Sequence, residues 1–116
     1  MTRKPRSVDP FADIVVGDCL DVLPTMADES IDLVVTSPPY NIGKEYEQKK
    51  IHLDDYIEQQ WQVIAECARV LAPTGSICWQ VGNWVKASEI IPLDIALFPI
   101  FQKLGFKCRN RIIWHF

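Results

Sequence analysis

Several things are scarce in this sequence, and each scarcity removes a class of protein. No apolar run approaches the roughly 20 residues that a membrane-spanning helix needs. The basic opening Met1-Thr2-Arg3-Lys4-Pro5-Arg6 is followed by no apolar core, so it does not read as a secretory signal. A cytoplasmic protein is the resulting expectation. The four cysteines, Cys19, Cys67, Cys78 and Cys108, form no C-x-x-C pair, and His52 and His115 cluster with none of them. That argues against a zinc site and against a disulfide framework. Cys67 and Cys78 instead fall within a helical and a strand pattern, as small core residues do. A net charge of -3 excludes a uniformly basic nucleic-acid binder. It leaves local basic patches in the first six residues, at 44–50 and at 103–111, any of which can meet phosphates. No repeat or low-complexity segment is present.

What remains is a chain of 116 residues, 48% hydrophobic and 23% charged, which suits one small globular domain. Residues 1–10 read as a flexible basic arm and 11–116 as the folded part. Ile14-Val15-Val16-Gly17 reads as a short buried strand stopped by a turn at Asp18. A short helix or turn over 19–27 follows, then a strand over 31–36 and an exposed polar loop over 41–53. Asp54 or Asp55 can cap a helix whose apolar stripe is Ile57, Trp61, Ile64, Ala68 and Leu71, ended by Pro73-Thr74-Gly75. Ser76 to Val81 reads as a strand, 86–104 as a helix interrupted at Pro92 and Pro99 and stopped by Gly105, and 107–115 as a last strand. Strands alternating with helices predict an α/β fold, with a mostly parallel sheet flanked by helices and a ligand site beyond the strands' carboxyl ends. Asp18 and Ser37 to Tyr40 are both expected at such ends.

Ser37-Pro38-Pro39-Tyr40 carries the most chemistry. Neither proline has an N–H to give to a ladder, so the chain leaves the strand Ile31–Thr36 in a stiff extended form. Backbone carbonyls and the Ser37 hydroxyl are then held in fixed directions beside an aromatic ring. Fixed acceptors next to a flat ring suit a planar group bearing an NH2, such as a nucleobase. A plain loop stiffener is the competing structural reading of the two prolines.

Gly17-Asp18-Cys19-Leu20, Thr36-Ser37-Pro38-Pro39-Tyr40-Asn41 and Arg69-Val70-Leu71-Ala72-Pro73-Thr74-Gly75 together resemble the amino-group DNA methyltransferases. Ser37 to Tyr40 match the family's (Asp/Asn/Ser)-Pro-Pro-(Tyr/Phe/Trp) signature in full, and the likeness runs from about Ile14 to His115. It implies a partial Rossmann-like methyltransferase fold and transfer of a methyl group from S-adenosyl-L-methionine to adenine-N6 or cytosine-N4 in double-stranded DNA. The base would be flipped out of the duplex. The resemblance casts Ser37, Pro38, Pro39 and Tyr40 as catalytic, with Ser37 Oγ and the Pro38 carbonyl accepting from the target amine and Tyr40 stacking on the base. It casts Asp18 and Cys19 as contacts to the cofactor's adenine, although Asp18 equally fits a turn or helix cap. Asn41 and Trp114 are the base-contact candidates, and Trp114 equally fits a sheet-face aromatic. Ser37 inclines the reading towards cytosine-N4 and leaves adenine open. Cytosine-C5 transfer is disfavoured, because no cysteine follows a proline.

The family's glycine-rich turn, which cradles the methionine end of the cofactor, is missing, since the five glycines lie far apart. In a permuted subgroup that element follows the Pro-Pro-Tyr motif. The order here matches that subgroup, so 11–116 are expected to be the catalytic-motif part of a larger domain. The strand 31–36 would then keep an unpaired apolar edge, available to a complementary chain or a second copy. An RNA- or protein-amine methyltransferase and a non-catalytic remnant of the fold are the alternative functions.

Overall fold

The computed structural model describes residues 11–39 and 52–115. The expected basic arm and most of the expected loop 41–53 lie outside these residues. In chain order the elements are α1 (Cys19–Val22), a 3-10 turn (Leu23–Thr25), β1 (Ile31–Thr36), α2 (Leu53–Val70), β2 (Leu71–Trp79), β3 (Asn83–Lys86), β4 (Glu89–Pro92) and α3 (Leu93–Lys103). No helix among the described residues is long and apolar enough to cross a membrane.

β1 occupies the span its composition predicts, because β-branched residues favour the pleat and the prolines behind Ser37 end it. It pairs with β2 in parallel, as Val34 with Ile77, Val35 with Cys78 and Thr36 with Trp79. A parallel pair needs a crossover, and α2 supplies it. Val34, Thr36, Ile77 and Trp79 are half-buried, whereas Leu33, Val35, Ser76 and Cys78 are exposed. With a side-chain period of two, one face of the pair is covered and the other is open. Leu33 and Val35 are 56% and 69% exposed, a large apolar exposure for central strand residues.

The helix does not end at Pro73-Thr74-Gly75. It ends at Val70, and Leu71 is already extended. Pro73 denies helical geometry to the residue before it and gives no N–H to the ladder. From Ile31 to Leu33 β1 advances two residues, while β2 advances from Leu71 to Ser76, so 72–75 bulge from the pairing. Gly75 is required there. A Cβ on it would lie 2.9 Å from the Asp32 carbonyl oxygen and 2.8 Å from Leu71 Cδ1.

α2 begins at Leu53, with Asp54 and Asp55 in its first turn; neither is the cap, which falls at His52. Both carboxylates still favour the positive end of the helix dipole. Its buried line is Tyr56, Gln60, Ile64, Cys67 and Val70, with Ile57, Trp61 and Ala68 at the flank. The stripe is therefore turned by one residue from the purely apolar reading, because Tyr56 and Gln60 find partners for their polar ends. Gln60 Oε1 accepts from Trp79 Nε1 at 3.1 Å, which joins α2 to the end of β2. Ile64, Leu97 and Ile100 form one core, flanked by Trp61, Trp79 and Phe101; Tyr56, Trp84 and Leu93 form a second.

Residues 86–92 are not helical. They belong to an antiparallel hairpin, β3 with β4, in which Lys86 faces Glu89 and Asn83 faces Pro92. Ala87 and Ser88 carry it at φ 52° and 64°, the geometry of a two-residue type I′ connection. α3 starts after Pro92, and Gly105 ends it at φ 90° as expected. The strands expected at 14–17 and 107–115 are also corrected. Both segments are described without regular structure, and neither meets a ladder partner among the described residues. Apolar alternation favours a strand, but the strand forms only where a neighbour completes its hydrogen bonds. Ile14, Val16, Ile112 and Ile113 are accordingly exposed.

Candidate active site

The end of β1 is where the sequence and the structure converge. Thr36 pairs with Trp79, and the Gln80 backbone N–H donates to the Thr36 carbonyl at 3.0 Å as the last rung of the parallel pair. One residue on, the Ser37 hydroxyl donates to Gln80 Oε1 at 2.6 Å. The two ends of the strands are thus clamped through backbone and side chain together.

The proline segment is held from the other side by α2. Tyr56 is 3% exposed, and its hydroxyl donates to the Pro39 carbonyl at 2.5 Å. Among the described residues no N–H or O–H donates to the Pro38 carbonyl. Ser37 and Pro39 are exposed and Pro38 half-buried. The result is a stiff three-residue segment whose two ends are pinned to different elements. Between the pins stands the Pro38 carbonyl, to which no described N–H or O–H donates, beside a hydroxyl whose proton is already committed. Such a segment can accept hydrogen bonds from an incoming amine without first rearranging.

Asp18 is exposed and caps α1, with its Oδ1 accepting from the Leu20 N–H at 2.9 Å. The cap reading of Asp18 is thus realised, on an exposed carboxylate. Partial burial, and then the Asp18 charge, push the thiol of the exposed Cys19 above its ordinary range. No hydrogen bond or ion pair among the described residues joins Asp18 or Cys19 to Ser37. Trp114 is 74% exposed, in a segment without regular structure. Tyr40 and Asn41, assigned from the sequence to base stacking and base contact, lie outside the described residues.

Arg69 fixes the segment that leads into β1. Its guanidinium donates to the Leu23 carbonyl at 2.7 Å, to the Met26 carbonyl at 2.9 Å and to Asp28 at 2.6 Å, while Nε meets Glu66 at 2.7 Å. The hydrogen bonds to Glu66 and then Asp28 raise its pKa further above an already high value. The backbone follows the same path, with Glu29 and Ser30 donating to the Arg69 and Val70 carbonyls.

Two contributors to the site escape the sequence reading. Tyr56 stands one position before the apolar stripe and outside it. Gln80 falls inside the span that reads as a strand. Its signal is nonetheless available, since it is the polar residue immediately beyond a parallel strand's carboxyl end, where ligand sites form.

Comparisons with known proteins agree on one group. The sequence profile of the N6/N4 DNA methylase family matches residues 31–116. The type II methyltransferase M.BglII of Bacillus subtilis is 52% identical over 84% of this chain and 27% of its own length. M.BamHI of Bacillus amyloliquefaciens is 32% identical over 94% of this chain and 28% of its length. The DNA adenine methyltransferase YhdJ of Escherichia coli is 35% identical over 89% of this chain and 33% of its length. The chain therefore spans about a third or less of these three relatives. Among solved structures, a protein of Thermus thermophilus described as a DNA modification methylase superposes with a TM-score of 0.69 at 35% identity, covering 86% of this chain and 43% of that one. The same protein complexed with S-adenosyl-L-methionine matches with a TM-score of 0.63 at 31% identity, over 79% of this chain and 40% of that one. The α/β, methyltransferase-like fold is thereby shared with proteins of known structure.

Proposed function

The chain belongs to the N6/N4 DNA methylase family, and from that premise we propose that it supplies the amine-activating part of a methyltransferase acting on adenine-N6 or cytosine-N4 in DNA. The observation that carries this reading is the Ser37-Pro38-Pro39 segment, pinned by Gln80 and Tyr56 at the end of a parallel strand.

The lone pair of an exocyclic amine is delocalised into the ring, so the nitrogen is a poor nucleophile. Ser37 Oγ and the Pro38 carbonyl accept its two N–H groups and draw the nitrogen towards a tetrahedral arrangement, which returns the lone pair. The acceptors are already oriented, so little reorganisation is left for the reacting complex. Tyr40 stacks on the ring of a base swung out of the duplex, with Asn41 and Trp114 as further base contacts. When bound, S-adenosyl-L-methionine supplies the electrophilic methyl group on a sulfonium. Asp18 suits the adenine amine of that cofactor, because it is an exposed carboxylate whose cap bond to α1 engages one of its two oxygens. Cys19 lies beside it with its thiol neutral. The exposed Leu33 and Val35 support a covering layer on the open sheet face, from a complementary chain or a second copy.

The test uses purified protein carrying this sequence, S-adenosyl-L-methionine and unmethylated DNA, with nucleoside mass spectrometry of the product. N6-methyladenine or N4-methylcytosine supports the reading and decides between the two bases. C5-methylcytosine, or transfer to RNA or protein without DNA, contradicts it.

A further inference from the structure

We propose that Gln80 is a positioning residue that sets the direction of the Ser37 hydroxyl, taking its proton so that its lone pairs face the target amine. The inference rests on the methyltransferase reading above and adds a residue to it.

A serine hydroxyl rotates freely and serves as donor or acceptor according to its surroundings. To activate an amine it must act as an acceptor, because a hydroxyl proton aimed at the nitrogen would tie up the lone pair that attacks. Something must therefore engage the proton. The Ser37 hydroxyl donates to Gln80 Oε1 at 2.6 Å, a short bond between residues 43 apart in sequence. The neighbouring rung, Gln80 N–H to the Thr36 carbonyl at 3.0 Å, fixes the backbone from which the amide reaches. Both residues are exposed, so the pair lies where a ligand can reach it. The amide is neutral over the working pH range. It orients the Ser37 proton without accepting it outright, so Ser37 acts as a neutral acceptor and not as an alkoxide.

The test is a double-substitution cycle in purified protein carrying this sequence, read as kcat for DNA methylation beside the Kd for S-adenosyl-L-methionine. Gln80→Leu lowers kcat about tenfold, the scale of one lost orienting hydrogen bond, and leaves the cofactor Kd within twofold. On a Ser37→Ala background the same change costs less than twofold, because its effect passes through the missing hydroxyl. Gln80→Asn, whose shorter side chain falls short of Ser37, loses activity as Gln80→Leu does. Gln80→Glu keeps an acceptor oxygen at the same reach in either protonation state and retains activity within threefold at neutral pH. Circular dichroism checks folding, and the Asn and Glu variants decide the matter if the Leu variant does not fold. Equal kcat in wild type and Gln80→Leu, or costs that multiply across the cycle, overturn the role of Gln80 alone. Absence of methyl transfer by the wild type overturns the methyltransferase reading and this inference with it.

Discussion

The Tyr56 hydroxyl donates to the Pro39 carbonyl, 2.5 Å away, and so ties a buried helix residue to the far end of the proline segment. Since Pro39 gives no N–H, its carbonyl is the handle by which the core can hold this part of the chain. Removing the hydroxyl and keeping the ring isolates that handle. Tyr56→Phe is expected to lower stability by about 1 kcal/mol, read as a shift in urea midpoint at unchanged slope. It is also expected to slow methyl transfer more than it weakens cofactor binding.

Arg69 joins α2 to three groups that precede β1. Lysine is a point charge without the planar fork and cannot satisfy them together. Arg69→Lys and Arg69→Ala should both lower the thermal midpoint, with lysine recovering only a minor part. A lysine variant that melts with the wild type would show that charge alone suffices.

Gly75 lies in the bulge of β2, against the Asp32 backbone. An added methyl meets the Asp32 carbonyl at 2.9 Å, and a backbone atom cannot swing aside as a side chain can. Gly75→Ala should cost about 1–3 kcal/mol by overpacking, measured by chemical denaturation. The Gly105→Ala change acts differently. There a Cβ meets nothing within 4 Å, so any loss of stability comes from the φ of 90° itself.

The cysteines differ in their surroundings. Burial pushes the Cys67 thiol up to about 11, with smaller contributions from Cys19 and Glu66. Its value in the unfolded chain is near 8.5. A raised pKa favours the folded state below the unfolded value, and that advantage disappears as pH climbs to about 11. The stability of wild type relative to Cys67→Val should therefore fall from about pH 8.5 to 11. Thiol labelling at pH 8 should reach the exposed Cys78 and Cys108 well before Cys67.

Much of the site is legible from local chemistry. Ile31–Thr36 announces its own limits, with β-branched residues inside and prolines behind. The period of α2 reveals its stripe but displaces the centre, because burial of Tyr56 and Gln60 depends on partners 17 and 19 positions away. The hairpin at 83–92 is hidden for another reason. Ala87-Ser88 carries none of the Gly or Asn that usually marks positive φ, so the segment keeps a helical appearance. The segments 14–17 and 107–115 have strand composition and no described partner, and pairing is the part of a strand that its own residues do not encode. Gln80 follows the same logic, since its link to Ser37 exists only once the two strands lie side by side.

The central claim is that Ser37 and the Pro38 carbonyl receive the hydrogens of a DNA base's amine. Its most direct test compares the wild-type protein carrying this sequence with Ser37→Ala, measuring the rate of methylated adenine or cytosine formation in DNA and S-adenosyl-L-methionine affinity on the same samples. The account predicts a loss of about 100-fold in rate, the scale of one preorganised transition-state contact, with cofactor affinity within twofold. A Ser37→Ala protein that methylates DNA at the wild-type rate would contradict it.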